Sequence, residues 1–169
     1  KTDGSGLEYT NEEQGNSYPK DYLIQEPDTN RLARNENICG TIVQYKKVIL
    51  LDPNYKEVYN NLGICLKELQ QYNEAIIQYK KAIQLDPNYK DTYNNLGICL
   101  KDLQQYNETI VQYKKAIQLD SNFKEAYNNL GLVYENFGKK AEALEHFQKA
   151  INIKPDYAEA HNNIGLVLF

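Results

Sequence analysis

Apolar side chains recur along residues 56–85 with the spacing of two amphipathic helices. Segment 56–70 carries an apolar residue every three or four positions, which places these side chains on one helical face. Segment 73–85 carries a second stripe of the same kind. The stripes are Tyr59, Leu62, Leu66 and Leu69 in the first segment and Ala75, Ile76, Tyr79, Ala82 and Ile83 in the second. The pattern predicts a pair of helices joined by a turn at 70–72, and Pro87 cannot continue the second helix.

This helix pair repeats with a constant period of 34 residues. Segments 56–89 and 90–123 differ at only 7 of 34 positions, an agreement that chance does not produce. The residues that keep the step are Gly63, Gly97, Gly131 and Gly165; Leu62, Leu96, Leu130 and Ile164; Tyr79, Tyr113 and Phe147; Ala82, Ala116 and Ala150; and Pro53, Pro87, Ser121 and Pro155. A repeat of this length indicates stacked units that share one continuous core.

Two small residues in each unit indicate that the helices pack closely. Gly63 lies on the first helix and Ala82 on the second, so neither side chain keeps a neighbouring helix away. A glycine inside a helix costs about 1 kcal/mol relative to alanine. Its return in every unit indicates that close packing offsets this cost.

The repeated residues resemble the tetratricopeptide repeat. The resemblance rests on the 34-residue period and on Tyr59, the pair Leu62 and Gly63, Ala75, Tyr79, Ala82 and Pro87. It covers about 37–169, with departures at Thr109, Ser121 and His161. It implies an all-α fold, a right-handed α-solenoid of antiparallel helix pairs. We set the units at 56–89, 90–123 and 124–157, followed by the first helix of a truncated further unit at 158–169.

Residues 22–55 are interpreted as a degenerate or partial repeat upstream of these units. Segment 36–55 matches a second helix, because Tyr45 stands one period before its counterpart in the next unit. The first helix of this pair is expected within 22–35. It lacks the Leu-Gly pair, and we expect it to be broken near Pro27.

The N-terminal residues 1–21 differ from the rest of the chain. They are polar, contain several Gly, Ser and Asn residues, and show no helical stripe. A segment of this composition cannot bury enough apolar surface to fold alone. We expect it to be flexible, or to be held by the groove of the array or by another chain.

A pair of asparagines recurs on the first helix of every unit. In tetratricopeptide repeats the first helices line a concave groove, so the resemblance implies that these amides face a ligand. The candidate groove residues are Asn60, Asn61, Ile64, Lys67, Asn94, Asn95, Ile98, Lys101, Asn128, Asn129, Leu132, Asn162 and Asn163. An amide offers one acceptor and two donors. Such a ladder is similar to the one in O-GlcNAc transferase, and it could hold the backbone of an extended peptide.

The other interpretation of these asparagines is structural, because they could also cap helices or bridge neighbouring repeats. The apolar positions next to them, Ile64, Ile98, Leu132 and Leu166, suit a peptide with spaced hydrophobic side chains. The charges nearby are mixed, since each groove lysine is followed by an acidic residue.

The same positions argue against one known class of ligand. Repeats of this family that clamp the acidic tail of heat-shock chaperones use Lys, Asn and Arg at fixed groove positions. Here Glu57, Asp91 and Glu125 occupy the first of these places, and Asn129 stands where Arg would be needed. Too little positive charge faces the groove for a carboxylate clamp.

Composition excludes several other functions. The net charge of −4 gives no reason to expect nucleic acid as a partner, and no apolar run is long enough for membrane insertion. His146, expected on the exposed side of a second helix, and His161, expected to pack in an aromatic position, form no metal-ligand set. No nucleotide or cofactor fingerprint is present. We therefore predict no cofactor, no metal and no catalytic activity.

The three cysteines, Cys39, Cys65 and Cys99, indicate free thiols. Their odd number and spacing do not suit a disulfide framework. Cys65 and Cys99 occupy the same repeat position, which indicates small packing residues and not nucleophiles. Free thiols suit a reducing, cytoplasmic location.

The leading functional hypothesis is a protein-interaction scaffold that binds a peptide or partner protein in the concave groove, as a subunit of a larger assembly. Two alternatives remain open. The array could recruit substrates for an enzyme, such as a glycosyltransferase, whose catalytic domain lies outside this sequence. It could also self-associate through the apolar residues of 158–169.

Overall fold

The computed structural model describes residues 29–168, and this part of the chain is helical throughout apart from short turns. The helices are α1 (Thr29–Leu51), α2 (Lys56–Glu68), α3 (Tyr72–Leu85), α4 (Lys90–Asp102), α5 (Tyr106–Leu119), α6 (Lys124–Asn136), α7 (Lys140–Ile153) and α8 (Ala158–Leu168). The expected all-α solenoid of antiparallel helix pairs is confirmed. The polar segment 1–21 and Pro27 lie outside the described residues.

The helices form two layers with different contacts. We call α2, α4, α6 and α8 the first helices, and α3, α5 and α7 the second helices. Each helix packs on the next one along the chain, and each first helix also contacts the next first helix. Across residues 29–168 the second helices make no such contact with one another. The first helices therefore form the continuous layer of the stack, the one on which the candidate groove residues lie.

The packing within each pair depends on a ring that lies against a glycine. Tyr79 and Tyr113 are fully buried, and each ring covers a glycine of the preceding first helix. A Cβ atom added to Gly63 would lie 2.5 Å from Cε1 of Tyr79, and one added to Gly97 would lie 2.5 Å from Cε1 of Tyr113. Phe147 covers Gly131 in the same way. No side chain other than glycine leaves room for the ring at this position.

A repeated lysine links the start of a first helix to the loop before the next one. Lys56 forms an ion pair with Asp86, and its ammonium lies 5.2 Å from the ring centre of Tyr89. Lys90 makes the same ion pair with Asp120. The paired carboxylate raises the pKa of Lys56, and that lysine lowers the pKa of Asp86. These ion pairs are partly exposed to solvent, so screening by water keeps the contribution of each to stability small.

The first helices end earlier than the apolar pattern predicts. The sequence predicts a helix over 56–70, whereas α2 stops at Glu68. Gln70 and Gln104 adopt φ values of 60° and 59°, and Gly138 adopts 69° at the same repeat position. This left-handed conformation closes a helix C-terminus, which is why glycine favours it.

The N-terminal part of the array differs from its predicted form. Residues 22–35 were expected to form a separate first helix, whereas α1 runs without interruption from Thr29 to Leu51. Ile38 and Ile42 of α1 are buried in the core that α2 and α3 share. Gly40 lies in the interior of α1, and the helix continues through it. A Cβ atom added to Gly40 would have nothing within 4 Å.

Replacing Gly97 by alanine should destabilise the fold. The added Cβ would collide with the buried Tyr113 ring, and overpacking of this kind costs about 1–3 kcal/mol. Gly40→Ala is the matched control, because nothing lies within 4 Å of Gly40. That change should raise stability by up to about 1 kcal/mol through helix propensity. Urea unfolding followed by circular dichroism measures both, and equal midpoints would contradict this account of the packing.

Candidate binding groove

Half-buried apolar side chains line the first-helix layer. Ile64, Ile98 and Leu132 are partly exposed, and Leu166 of α8 is 74% exposed. Ile64 and Ile98 both line a cavity of about 100 Å³. Lys67, Tyr79 and Asn95 complete its lining, so α2, α3 and α4 all contribute to it. The structure thus brings four groove candidates of two adjacent repeats to one small opening.

The inner asparagine of each pair is buried between neighbouring first helices. Asn60, Asn94 and Asn128 are 4%, 8% and 6% exposed. The carbonyl oxygen of each accepts a hydrogen bond from an asparagine side chain of the next repeat, at 2.9–3.0 Å. At Asn60 the hydroxyl of Thr92 donates a second bond. These buried amides stabilise the stack of repeats.

The outer asparagine of each pair lies at the edge of this contact. Asn95, Asn129 and Asn163 are the donors, and each uses one N–H of its Nδ2 for the bond to the previous repeat. All three are partly exposed. Each amide therefore has a second N–H and a carbonyl oxygen that could pair with the backbone of a ligand.

The bridging interpretation of the asparagine pairs thus applies to the inner residues. Burial removes Asn60, Asn94 and Asn128 from the residues that could contact a peptide, although the sequence placed them in the groove. Their bonds to the next repeat are the bridging contacts of the structural interpretation. Asn162 is exposed, and Asn61 accepts a bond at 3.3 Å from its neighbour Asn60.

The lysines of the first helices differ in whether they form ion pairs. Lys56, Lys90 and Lys124 form ion pairs with Asp86, Asp120 and Glu125 respectively. Lys67 and Lys101 are half-buried on the groove side, and Lys67 reaches the cavity. Only these two lysines of α2 and α4 extend the candidate groove with positive charge.

His146 lies in a different environment from the one the sequence indicated. It was expected on the exposed side of α7, but it is half-buried and its ring stacks on Tyr134 at 5.2 Å and 9°. Tyr127 lies 6.2 Å away on the same helix as Tyr134. The Nδ1 atom of His146 is buried and has no hydrogen-bond partner among the described residues. Burial lowers the pKa of His146, and Lys149 adds to that effect.

The remaining candidate residues do not come together in one site. His161 is exposed, and its Nε2 lies 2.8 Å from the carbonyl oxygen of Pro155. Cys99 is buried, and burial raises the pKa of its thiol to about 11. Within the described range no group of three or more His, Cys, Asp and Glu side chains could hold a metal ion. None of the described helices is both long and apolar enough to cross a membrane.

Sequence reasoning missed two polar groups beneath the groove. The hydroxyls of Tyr79 and Tyr113 are buried and have no hydrogen-bond partner among residues 29–168. Their 34-residue period predicts core aromatics and gives no sign that the hydroxyls lack partners. One signal in the sequence could have pointed to these hydroxyls. Phe147 stands at the same repeat position in the third unit and has no hydroxyl.

Family patterns match most of the array. The pattern described as "Tetratricopeptide repeat" matches residues 57–89 and 78–110. The pattern described as "TPR repeat" matches residues 99–138 and 137–169. None of the curated proteins is similar enough to the chain to count as a relative.

Solved structures show the same fold. A crystal structure of MamA is 32% identical, covers 85% of this chain and 84% of its own, and superposes with a TM-score of 0.71. The first TPR domain of Spaghetti (RPAP3), bound to the HSP90 peptide SRMEEVD, is 21% identical with a TM-score of 0.64 and covers 67% of this chain and 90% of its own. The Arabidopsis OM64 TPR domain is 23% identical with a TM-score of 0.65, and the match covers 67% of this chain and 93% of that domain. The last two are alike in fold alone.

Replacing Asn94 by alanine should destabilise the stack of repeats. The variant removes the acceptor of the partly exposed Asn129 amide, and the loss of one such hydrogen bond costs about 0.5–1.5 kcal/mol. Asn162→Ala is the matched control, since Asn162 holds the same repeat position but is exposed. Urea unfolding should separate the two variants. Equal loss in both would mean that the bridging bond contributes nothing.

The stability of the array should fall below about pH 6.5 because of His146. Its folded pKa is lowered, whereas an unfolded histidine has a pKa of about 6.5. The unfolded state therefore binds more protons, so this contribution is complete above about pH 6.5 and is lost as the pH falls. His146→Gln is the matched control, because Gln78 and Gln112 occupy this position in the other units. Unfolding midpoints between pH 7 and 5 should fall more steeply in the wild type, and parallel profiles would refute the assignment.

Proposed function

Because the chain belongs to the tetratricopeptide-repeat family, we propose that it is a protein-interaction scaffold that holds an extended peptide segment of a partner along its first helices. The observation that carries this proposal is the row of half-buried Ile64, Ile98 and Leu132 beside partly exposed amides. Apolar side chains that stay accessible in a regular row are typical of a groove that receives spaced hydrophobic residues.

The amides give the row a way to hold a peptide backbone. Asn95, Asn129 and Asn163 are fixed by their bonds to the previous repeat. Each still has one N–H and one carbonyl oxygen, the two groups that pair with a peptide unit. Because the bonds to the previous repeat already hold the side chains, little further side-chain entropy is lost when a ligand binds.

The ligand that fits this groove is not an acidic chaperone tail. The Spaghetti (RPAP3) domain binds such a peptide, which needs several cations in one place. Here Lys56, Lys90 and Lys124 are engaged by carboxylates. The two groove lysines, Lys67 and Lys101, are each followed by an acidic residue.

We place the protein in a reducing compartment, as a non-catalytic subunit of a larger assembly. The exposed thiol of Cys39 supports that location, because a free surface thiol persists best where thiols are kept reduced. A non-catalytic role fits the use of the array as a surface and not as a reaction centre.

A charge placed in the groove should weaken peptide binding. Peptides selected from a random phage-displayed library on the wild-type protein serve as probes, and fluorescence polarisation gives their Kd. Ile98→Lys puts an ammonium at the cavity and should weaken binding at least about tenfold. Val111→Lys is the matched control, since Val111 is 61% exposed on the second helix α5 and should leave Kd unchanged.

Circular dichroism must show that both variants remain helical. Binding that survives Ile98→Lys, or that is lost equally in Val111→Lys, would place the ligand elsewhere on the array.

A further inference from the structure

A row of lysines runs along the exposed face of α1, α3 and α5. The lysines come in adjacent pairs, one pair per helix, and the pairs follow the 34-residue period. Four of the six are exposed and two are half-buried. None forms an ion pair with another of residues 29–168, whereas Lys56, Lys90 and Lys124 of the first helices are engaged by carboxylates. We call the six the outer lysines: Lys46, Lys47, Lys80, Lys81, Lys114 and Lys115.

An exposed aliphatic side chain precedes each pair of outer lysines. Val43, Ile77 and Val111 are 50%, 61% and 61% exposed. Each stands three and four residues before its two lysines, so all three side chains of a helix lie on one face. β-branched residues are weaker helix formers than lysine or alanine, and these gain little from burial to offset that. We call the aliphatic residues and the outer lysines together the outer surface.

The outer surface ends at α5. In α7 the aliphatic position holds Glu145, which forms an ion pair with Lys149, and Gln148 replaces the first lysine. In α1 both lysines are present, although residues 38–51 differ from the aligned residues of α3 at 7 of 14 positions. The lysine pairs therefore mark the N-terminal end of the array.

The net charge of the chain is divided unevenly. Residues 1–28 contain seven Asp or Glu and two Lys, so they carry −5, whereas the whole chain carries −4. Residues 29–169 are therefore close to neutral, at +1. Residues 1–28 also contain three tyrosines, two leucines and one isoleucine. The acidic residues are Asp3, Glu8, Glu12, Glu13, Asp21, Glu26 and Asp28.

Of the two layers of the array, the one with the outer surface is the one that attracts an acidic segment. The helices α1, α3 and α5 contain eight basic and three acidic residues, whereas the four first helices contain five basic and seven acidic residues. Charges act over about 10 Å at 0.1 M ionic strength. An acidic segment is therefore drawn to the outer surface and repelled from the layer of the candidate groove.

We propose that the outer surface binds the chain's own acidic segment 1–28. Its carboxylates pair with the outer lysines, and its apolar side chains cover Val43, Ile77 and Val111. The candidate groove on the other layer stays open to a partner. The contact does not depend on the proposed function, because it uses a different face of the array.

The segment is long enough to reach all three helices. It joins α1 at Thr29, and Lys47 lies about 27 Å further along that helix, at about 1.5 Å per residue. An extended chain advances about 3.3 Å per residue, so about eight residues of the segment cover this distance. The residues before them remain for α3 and α5 and include Glu8, Glu12 and Glu13. A tether this short gives an effective concentration of about 1 mM, so even a contact with a Kd of about 1 mM is half occupied.

Zero-length cross-linking with a carbodiimide tests the contact on the whole chain. The reagent joins a lysine amine to a carboxylate in direct contact, and mass spectrometry of the monomer band identifies each pair. Carboxylates of residues 1–28 should link to the outer lysines more than to Lys67 and Lys101 of the groove. Raising NaCl from about 50 to about 500 mM should lower the yield at least about threefold, because salt screens exposed charges.

Reversing one pair of outer lysines should weaken the contact at the others. Lys80→Glu combined with Lys81→Glu should lower the yield of links at Lys46 and Lys47 about threefold, the effect of one or two exposed ion pairs. The matched control combines Gln148→Glu with Lys149→Glu, at the same repeat positions of α7, and should leave that yield unchanged. Circular dichroism checks that both variants remain helical.

Four results would overturn the proposal. Links chiefly to Lys67 and Lys101 would place the segment in the groove, and links found only in a dimer band would assign the contact to a second copy of the chain. Equal yields in the α3 and α7 variants would remove the lysine row from the contact. A complete lack of links between residues 1–28 and the outer lysines would mean that the segment does not bind there.

Discussion

Each repeat is held together by an aromatic ring that lies directly on a glycine of the partner helix. Gly63, Gly97 and Gly131 leave no room for a Cβ atom beneath Tyr79, Tyr113 and Phe147. The distance between the two helices of a pair is therefore set by the thickness of a ring. Because close-packed interiors tolerate little change in volume, this contact also determines where the first helices stand and hence how the groove is shaped.

The stacking of one repeat on the next adds a second, polar contact. Asn94 and Asn128 each accept an amide hydrogen bond from the following first helix while they are almost fully buried. A buried amide bond is directional, so it fixes the register of one repeat against the next more strictly than apolar contact does. The same bond engages one N–H of the outer amide, whose side chain is partly exposed.

The fold could be predicted from the sequence, because period and helical spacing are properties of the chain itself. Which asparagine of each adjacent pair is buried could not be predicted from the sequence. Asn94 and Asn95 are adjacent, recur equally, and differ only by the rotation of about 100° that one residue makes around a helix axis. The bridging partner lies 35 residues away, and a periodic sequence gives no sign of which neighbour is in contact. Only the relative rotation of packed helices decides that.

Two other differences between sequence and structure have local causes. The early end of α2 depends on a left-handed conformation at Gln70. No glycine marks this position in that unit or at Gln104, and only Gly138, two periods after Gln70, carries the signal. Pro27 predicts a helix break nearby, whereas the residues from Thr29 to Leu51 contain no proline and form one continuous helix. The lack of a hydrogen-bond partner for the Tyr79 hydroxyl among residues 29–168 could not be predicted, since hydrogen bonding depends on the surrounding side chains.

The near-identity of two successive units has a consequence for how the array can change length. Segments 56–89 and 90–123 differ at 7 of 34 positions. Each has the same glycine–ring contact within its helix pair and the same amide bond to the repeat that follows. A loss or duplication of one whole unit would join Tyr55 or Tyr89 to an equivalent first helix. The new junction would repeat helix contacts that the array already contains. Repeat number can therefore vary in evolution without a new core being built. Each such step would lengthen or shorten the groove by one repeat, and would add or remove one opening along it.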